Sequence, residues 1–375
     1  LLIALLASLS LLGWLTLALF NGRFWIPLLD APAPEPKEWP DVDIIVPARN
    51  EADVLPQTLP SLLAQDYPGR WRILLIDDHS TDGTRDIALC LANEGNHSHI
   101  LSVIAAPDLP QGWSGKVASM QAGVKESTAE YILFTDADIA HPPHSLRRLV
   151  ARALADKLDL NSLMVKLHCQ SLAEKLLIPA FVFFFAMLYP FRRANNPRSR
   201  IAAAAGGVML VKKQALEKCG GLERIKSALI DDCALARAIK DSGGNIRLTL
   251  TRDVLSLRPY PTFASIERMI ARSAFTQLHY SYLLLLGTVI GLGLLFFAPW
   301  LAFLMGEPSA AIIGLAALFS MFVLYIPSVR FYGLSWIWSL TLPLAAAVYM
   351  VATLDSAFRY LRGKGGQWKG RAQAS

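Results

Sequence analysis

The chain has 375 residues, 53% of them hydrophobic, and a formal net charge of +6. Its mean hydropathy is positive, which excludes an ordinary water-soluble enzyme, and the apolar excess lies at the two ends. Basic residues gather at Arg192, Arg193, Arg198 and Arg200 and in the tail after Arg359. Beside apolar segments of membrane-spanning length they read as lipid-headgroup or cytoplasmic-face contacts, not as a nucleic-acid surface. Cys90, Cys169, Cys219 and Cys233 show no metal-ligand or C-x-x-C spacing, which predicts buried thiols in a reducing compartment.

Residues 1–20 are almost wholly apolar, about the length that crosses a bilayer. No basic region precedes them and no small-residue cleavage motif follows, so they predict an anchor and not a cleaved leader. The chain opens on Leu1 and not on Met, so a few residues are expected to precede it. Arg23 favours a cytoplasmic exit. Residues 21–40 carry Pro27, Pro32, Pro34, Pro36 and Pro40 and predict a stiff, extended linker.

A domain over residues 41–275 follows. A strand of branched residues from Val42 stops at Pro47 and opens into Ala48-Arg49-Asn50-Glu51. After a helix to about Gln65, a second strand from Trp71 to Ile76 ends in Asp77-Asp78-His79-Ser80-Thr81-Asp82-Gly83-Thr84. Ser80, Thr81 or Asp82 can cap the helix that runs on to about Asn93. A third strand lies near residues 100–105. Gly112-Trp113-Ser114-Gly115-Lys116 then enters a helix. Glycines with a lysine at a helix start let the backbone approach an anion, although this is no Walker A motif and a plain structural loop fits equally.

The fourth strand, Tyr131–Thr135, runs into Asp136-Ala137-Asp138. At a strand's C-terminal end both carboxylates can turn into one crevice and hold a hard divalent cation, with ligand sites left for a diphosphate. A solvated turn would place Asp in the same pattern. Asp231-Asp232 precedes a helical stretch; there a helix-dipole role competes with a catalytic one. Strands alternating with helices over 42–158 predict an α/β domain with a mostly parallel sheet and helices on both faces. Acids at three strand ends would then meet on one edge.

The set Pro47–Glu51, Asp77–Thr84, Thr135–Asp138 and Asp231-Asp232, in that order and spacing, resembles the family 2 glycosyltransferases of GT-A fold over roughly residues 40–275. Gly112–Lys116 and the tail Gly365-Gly366-Gln367-Trp368-Lys369-Gly370-Arg371 make it most similar to the hopanoid-biosynthesis-associated membrane members. The resemblance implies an inverting transfer from a nucleotide-sugar to a membrane lipid, with Mg²⁺ or Mn²⁺. It implies that Pro47, Arg49 and Glu51 surround the nucleoside and that Asp78, with Asp77, contacts base or ribose. It further implies that Asp136 and Asp138 meet donor sugar, diphosphate and metal, and that Asp232 is the general base. Asp231 stands where that family has Glu. Lys116 is a further candidate for the anionic donor. Arg272 falls where many membrane members carry Q-x-x-R-W, but Met269 and Ser273 do not match that motif. This counts against processive polymer synthesis; Arg272 is left as a diphosphate contact or a surface charge.

Such a transfer needs a carboxylate to take the acceptor proton and a charge partner for the leaving diphosphate. Two rivals stay open: a polyprenyl-phosphate sugar transferase, whose acceptor needs little base help, and a non-catalytic module that keeps the fold. Among the histidines near the sheet edge in sequence (His79, His97, His99, His141 and His144), His141 can either assist a metal or be a solvated loop residue. The apolar run within Ser171–Phe191 predicts an interfacial helix, with a buried helix as the alternative. Over 280–354, segments at Tyr280–Leu304, Ala310–Ile326 and Leu334–Leu354 read as about three spans, and 355–375 as a basic tail. Three full crossings would put that tail opposite the domain, so either one segment is re-entrant, near Pro299, Pro327 or Pro343, or the stretch at Ser171–Phe191 is itself a span; the re-entrant segment is the favoured reading. The resemblance places the chain in a bacterial inner membrane with its catalytic domain cytoplasmic.

Overall fold

The computed structural model describes residues 1–94, 99–363, 367–368 and 371–372. His97, Lys364, Lys369 and the tail glycines lie outside the described residues. The chain forms two compact units. One gathers residues 28–168 and 193–258; the other gathers 1–27, 169–192 and 259–366.

The first unit is built on a mixed eight-stranded sheet. Its strands are β1 (Val42–Ala48), β2 (Trp71–Asp77), β3 (Leu101–Ala105), β4 (Tyr131–Thr135), β5 (Ile139–Ala140), β6 (Leu160–Lys166), β7 (Val208–Lys212) and β8 (Ile246–Ser256). They lie in the order β3-β2-β1-β4-β7-β6-β8-β5. The first four are parallel, β7 runs against both β4 and β6, and β8 runs along β6. β1 and β4 are buried along their whole length, which is why they read as continuous apolar runs without alternation. Pairing of β1 with β4 ends at Ile45 and Phe134. Pro47 therefore sits where the ladder is needed on one side only, against Ile76 of β2. Apolar clusters cover both faces of the sheet, one around Ile44, Leu75, Leu133 and Leu210 and the other around Ile45, Leu74, Ile132 and Met209.

This topology makes one edge of the sheet special. The C-terminal ends of β2, β1, β4 and β8 and the N-terminal end of the reversed β7 all emerge there. β6 and β8, which complete that edge, carry no acidic pattern that would announce them in sequence. The linker is not a free spacer. The Leu250 amide donates to the Leu28 carbonyl at 2.8 Å and the Asp30 amide to the Leu250 carbonyl at 2.7 Å. Arg148 pairs with Asp30 and Arg152 donates to the carbonyls of Ala31 and Pro32.

The second unit is helical. Among the described residues, five helices are long and apolar enough to cross a membrane, at Leu2–Phe20, Leu172–Ala194, Tyr282–Met305, Pro308–Phe331 and Trp336–Leu361. The middle segment of the C-terminal group is longer than its sequence pattern predicts, because Pro327 is accommodated inside a continuous helix. Within Tyr282–Met305 a π-helical turn at Gly293–Phe297 loosens the backbone ladder. There the Leu295 carbonyl accepts from Trp14 Nε1 at 3.0 Å and Ser10 Oγ at 3.2 Å, tying the first helix to the later ones. Trp14 also meets Phe296 edge to face.

The helix Leu172–Leu188 begins with a capping box formed by Ser171 and Glu174. Its two ends lead to strands of the same sheet, β6 before it and β7 after it. At the end of the chain, Tyr360 stacks on Tyr280 at 4.6 Å and meets Phe275 at 5.5 Å. The last long helix thus ends where the first of the C-terminal group begins. Arg359, at that end, pairs with Asp355 and Glu267.

Candidate active site

The special edge carries a chain of charges. Lys116, at the start of the helix Gly115–Glu126, places Nζ 2.8 Å from Asp136 Oδ1 and 3.4 Å from Asp231 Oδ2. Asp231 and Asp232 open the helix Asp231–Asp241. Asp232 accepts from the Gly206 amide at 2.8 Å and from the Cys233 amide at 2.7 Å. Gly206 precedes β7, and a Cβ there would stand 3.1 Å from Lys116 Nζ and 3.4 Å from Asp232 Oδ2. Close approach, not turn geometry, favours a glycine here.

The other carboxylate of the D-x-D pair belongs to a second cluster. Asp138 Oδ2 accepts from Arg258 Nε at 2.8 Å, and the same guanidinium pairs with Glu51 through Nη2. The Leu257 amide donates to the Asp138 carbonyl at 2.9 Å, fastening the end of β8 to the D-x-D turn. Arg258 is a site residue that sequence reading missed. It follows a strand with no distinctive pattern, and only the pairing of β8 brings it here.

The nucleoside-side residues knit two loops together. Arg49 Nη1 donates to the Asp78 carbonyl at 2.5 Å and lies 3.5 Å from its carboxylate. Asp77 Oδ1 accepts from the Ser80 amide at 3.3 Å. Asn50 and His79 both adopt positive φ, +52°, where a short polar side chain is tolerated. Asn50 donates to Ser80 Oγ, and its side chain accepts from the Thr81 amide. Asp82 accepts from the Ala52 and Thr84 amides. Pro47, Arg49, Glu51, Asp77, Asp78, Lys116, Asp136, Asp138 and Asp232 thus share one rim. Arg272, following the helix Phe263–Ala271, belongs to the helical unit.

The electrostatics are uneven. Burial, reinforced by Asp231, pushes the Asp232 carboxyl up to about 6, against the pull of Lys116 and two backbone amides. Burial and the neighbouring Asp138 also raise Asp136, although Lys116 opposes them. Burial works against the charge on Lys116, but Asp136 and Asp231 outweigh it and keep it protonated. Glu51 and Asp138 do the same for Arg258.

Two expectations are corrected. His141 is not a solvated loop residue but is 3% exposed. Its ring nitrogens face Thr135 Oγ1 at 2.9 Å and Ser145 Oγ at 3.2 Å, and burial alone lowers its pKa to about 3. None of the four cysteines forms a disulfide, but only Cys219 and Cys233 are buried, while Cys90 is exposed.

Residues 43–220 match the family model described as Glycosyl transferase family 2. This region is a family 2 glycosyltransferase domain. A probable glycosyltransferase of Bacillus subtilis, YdaM, is 28% identical over 216 residues, 56% of this chain and 49% of the relative. An undecaprenyl-phosphate 4-deoxy-4-formamido-L-arabinose transferase of Salmonella paratyphi A is 32% identical over 114 residues, 30% of this chain and 33% of the relative. The chain therefore spans half or less of the length of these curated relatives. A mannosyltransferase of Pyrobaculum calidifontis, solved with GDP-Man and Mn²⁺, superposes with a TM-score of 0.60 at 21% identity. It covers 96% of this chain and 99% of its own. The domain has the GT-A fold.

Proposed function

We propose that this protein is a membrane-embedded, inverting glycosyltransferase that moves a sugar from a nucleotide-sugar to a membrane lipid. The observation that carries the proposal is the Lys116 cluster. It joins Asp136, from the end of β4, to Asp231 and Asp232, nearly a hundred residues later, around one cation. Proton work and diphosphate work are thereby adjacent but assigned to different groups.

In this reading Arg49, Glu51, Asp77 and Asp78, beside Pro47, hold the nucleoside. Lys116 steadies the diphosphate as a point charge. Asp232 takes the proton from the acceptor hydroxyl as that oxygen attacks the anomeric carbon. A pKa near 6 leaves it ionised at neutral pH yet basic enough for the task. Its two backbone amide donors fix its orientation. Arg272 is a further candidate for the diphosphate.

A divalent cation, Mg²⁺ or Mn²⁺, fits Asp136 and Asp138. Both offer only oxygen, and the Asp136 side chain is 37% exposed. Among the described residues no three His, Cys, Asp or Glu side chains form a ready-made metal cage. A metal there would be bound by one or two carboxylates, with substrate oxygens and water supplying the rest. When bound, the cation would stabilise negative charge on the leaving diphosphate.

Five helices that, among the described residues, are long and apolar enough to cross a membrane support an acceptor in the lipid phase; a hopanoid is the acceptor that the subgroup resemblance suggests. In this reading the catalytic unit works on the cytoplasmic side of a bacterial inner membrane. The named activity of the Salmonella relative favours a second reading, transfer to a polyprenyl phosphate. One experiment separates them. Membranes containing wild type or Asp232→Asn are supplied with a panel of nucleotide-sugars, and their lipids are read by mass spectrometry. Loss of a glycosylated neutral lipid in the variant supports the first reading. Full activity of the variant on a polyprenyl phosphate supports the second. No nucleotide-sugar consumption by wild type would overturn both.

A further inference from the structure

We propose that Arg258 holds the place on Asp138 that a divalent cation would take, and that the donor's diphosphate draws it away, so that cation and donor bind together. The inference rests on the metal-dependent reading above. Arg258 bridges two carboxylates from separate motifs, Asp138 and Glu51. Its side chain is 24% exposed, so it remains reachable from the crevice. A guanidinium fork that fits a carboxylate fits a phosphate equally well. Arg258 therefore has an exchange partner as soon as a diphosphate arrives.

The charge balance says why exchange is needed. Five carboxylates (Glu51, Asp136, Asp138, Asp231 and Asp232) surround two cations, Lys116 and Arg258. A diphosphate arriving alone meets an excess of negative charge. A divalent cation arriving alone finds each D-x-D carboxylate already paired, Asp136 with Lys116 and Asp138 with Arg258. When both arrive, the diphosphate accepts the two side-chain cations and the freed carboxylates accept the metal. Binding of each then favours the other, by the same factor in both directions.

The test is a Mn²⁺ titration of the full chain in detergent, read by the electron paramagnetic resonance of free Mn²⁺, with and without UDP or GDP. Wild type is expected to bind Mn²⁺ at least about fivefold more tightly with the matching diphosphate than without it. Arg258→Gln frees Asp138. It should bind Mn²⁺ alone more tightly than wild type and lose most of the enhancement by diphosphate. Unchanged or weaker binding of Mn²⁺ alone by a folded Arg258→Gln would overturn the inference while leaving metal dependence intact. If that variant does not fold, Arg258→Lys serves, since a single ammonium cannot bridge both carboxylates. It must shift in the same direction, and no shift counts against the proposal. Wild type that binds no Mn²⁺ even with UDP or GDP would overturn the metal-dependent reading itself.

Discussion

The same sheet holds carboxylates at both of its edges, and they behave in opposite ways. At the edge where β1 begins, Asp43 receives two hydrogen bonds from Arg72, at 2.6 and 3.1 Å, and one each from the Thr128 and Ala129 amides. Burial alone would raise its pKa, but these bonds more than offset it and leave the carboxyl below its ordinary value. At the edge where β1 ends, Asp136 and Asp232 are raised. There burial and mutual repulsion win, because five carboxylates share two cations. The first arrangement is finished; the second is completed only by something that brings positive charge or takes a proton. Perturbation of that second kind marks a working site.

That contrast can be broken most sharply at Asp232. Asp232→Asn should lower the transfer rate by about 10²–10⁴-fold, measured as nucleoside diphosphate released in the presence of acceptor. In wild type kcat/KM should climb as pH rises through about 6, where the base loses its proton, and that limb should vanish in the variant. A variant within a few-fold of wild type would place Asp232 with Asp43 as a structural group.

The opposite edge should give the opposite outcome. Asp43→Asn leaves Arg72 and two backbone amides poorly matched and should cost roughly 2–3 kcal/mol of stability. The half-exposed Arg72 keeps this below the cost of a fully buried pair. Thermal unfolding in detergent should report the loss, while KM and kcat at low temperature stay unchanged.

His141 sharpens the comparison because it is buried at the working edge yet fully satisfied. Its folded pKa, about 3, lies below the ordinary value of 6.5. The unfolded chain therefore takes up the proton first. Its contribution to stability is complete above about pH 6.5 and falls as pH drops towards 3, at up to about 1.4 kcal/mol per pH unit. His141→Gln should flatten the acid side of a plot of thermal midpoint against pH; an equal slope would reassign the acid sensitivity to the carboxylates. The smallest effect is expected at Gly206. Gly206→Ala puts a methyl group 3.1 Å from Lys116 Nζ, and a flexible amine can shift. A few-fold fall in kcat with intact folding is the expected result.

The local chemistry was legible in the sequence. Branched and aromatic runs that stop at Pro47, Asp77 and Thr135 are strands because such residues suit a sheet buried on both faces, and the polar residues after them must leave it. The apolar ends announced themselves by length alone. What sequence could not supply was the company each residue keeps. Arg258 follows an unremarkable strand and matters because β8 runs parallel to β6. Gly206 matters because β7 is reversed and starts beside Asp232. His141 looks like a loop residue until Thr135 and Ser145 close around it. Strand pairing is a long-range choice, settled by which faces bury together and where the chain can return. Periodicity therefore determined the elements, while tertiary structure decided which charges share a crevice and whether a carboxylate is satisfied or poised.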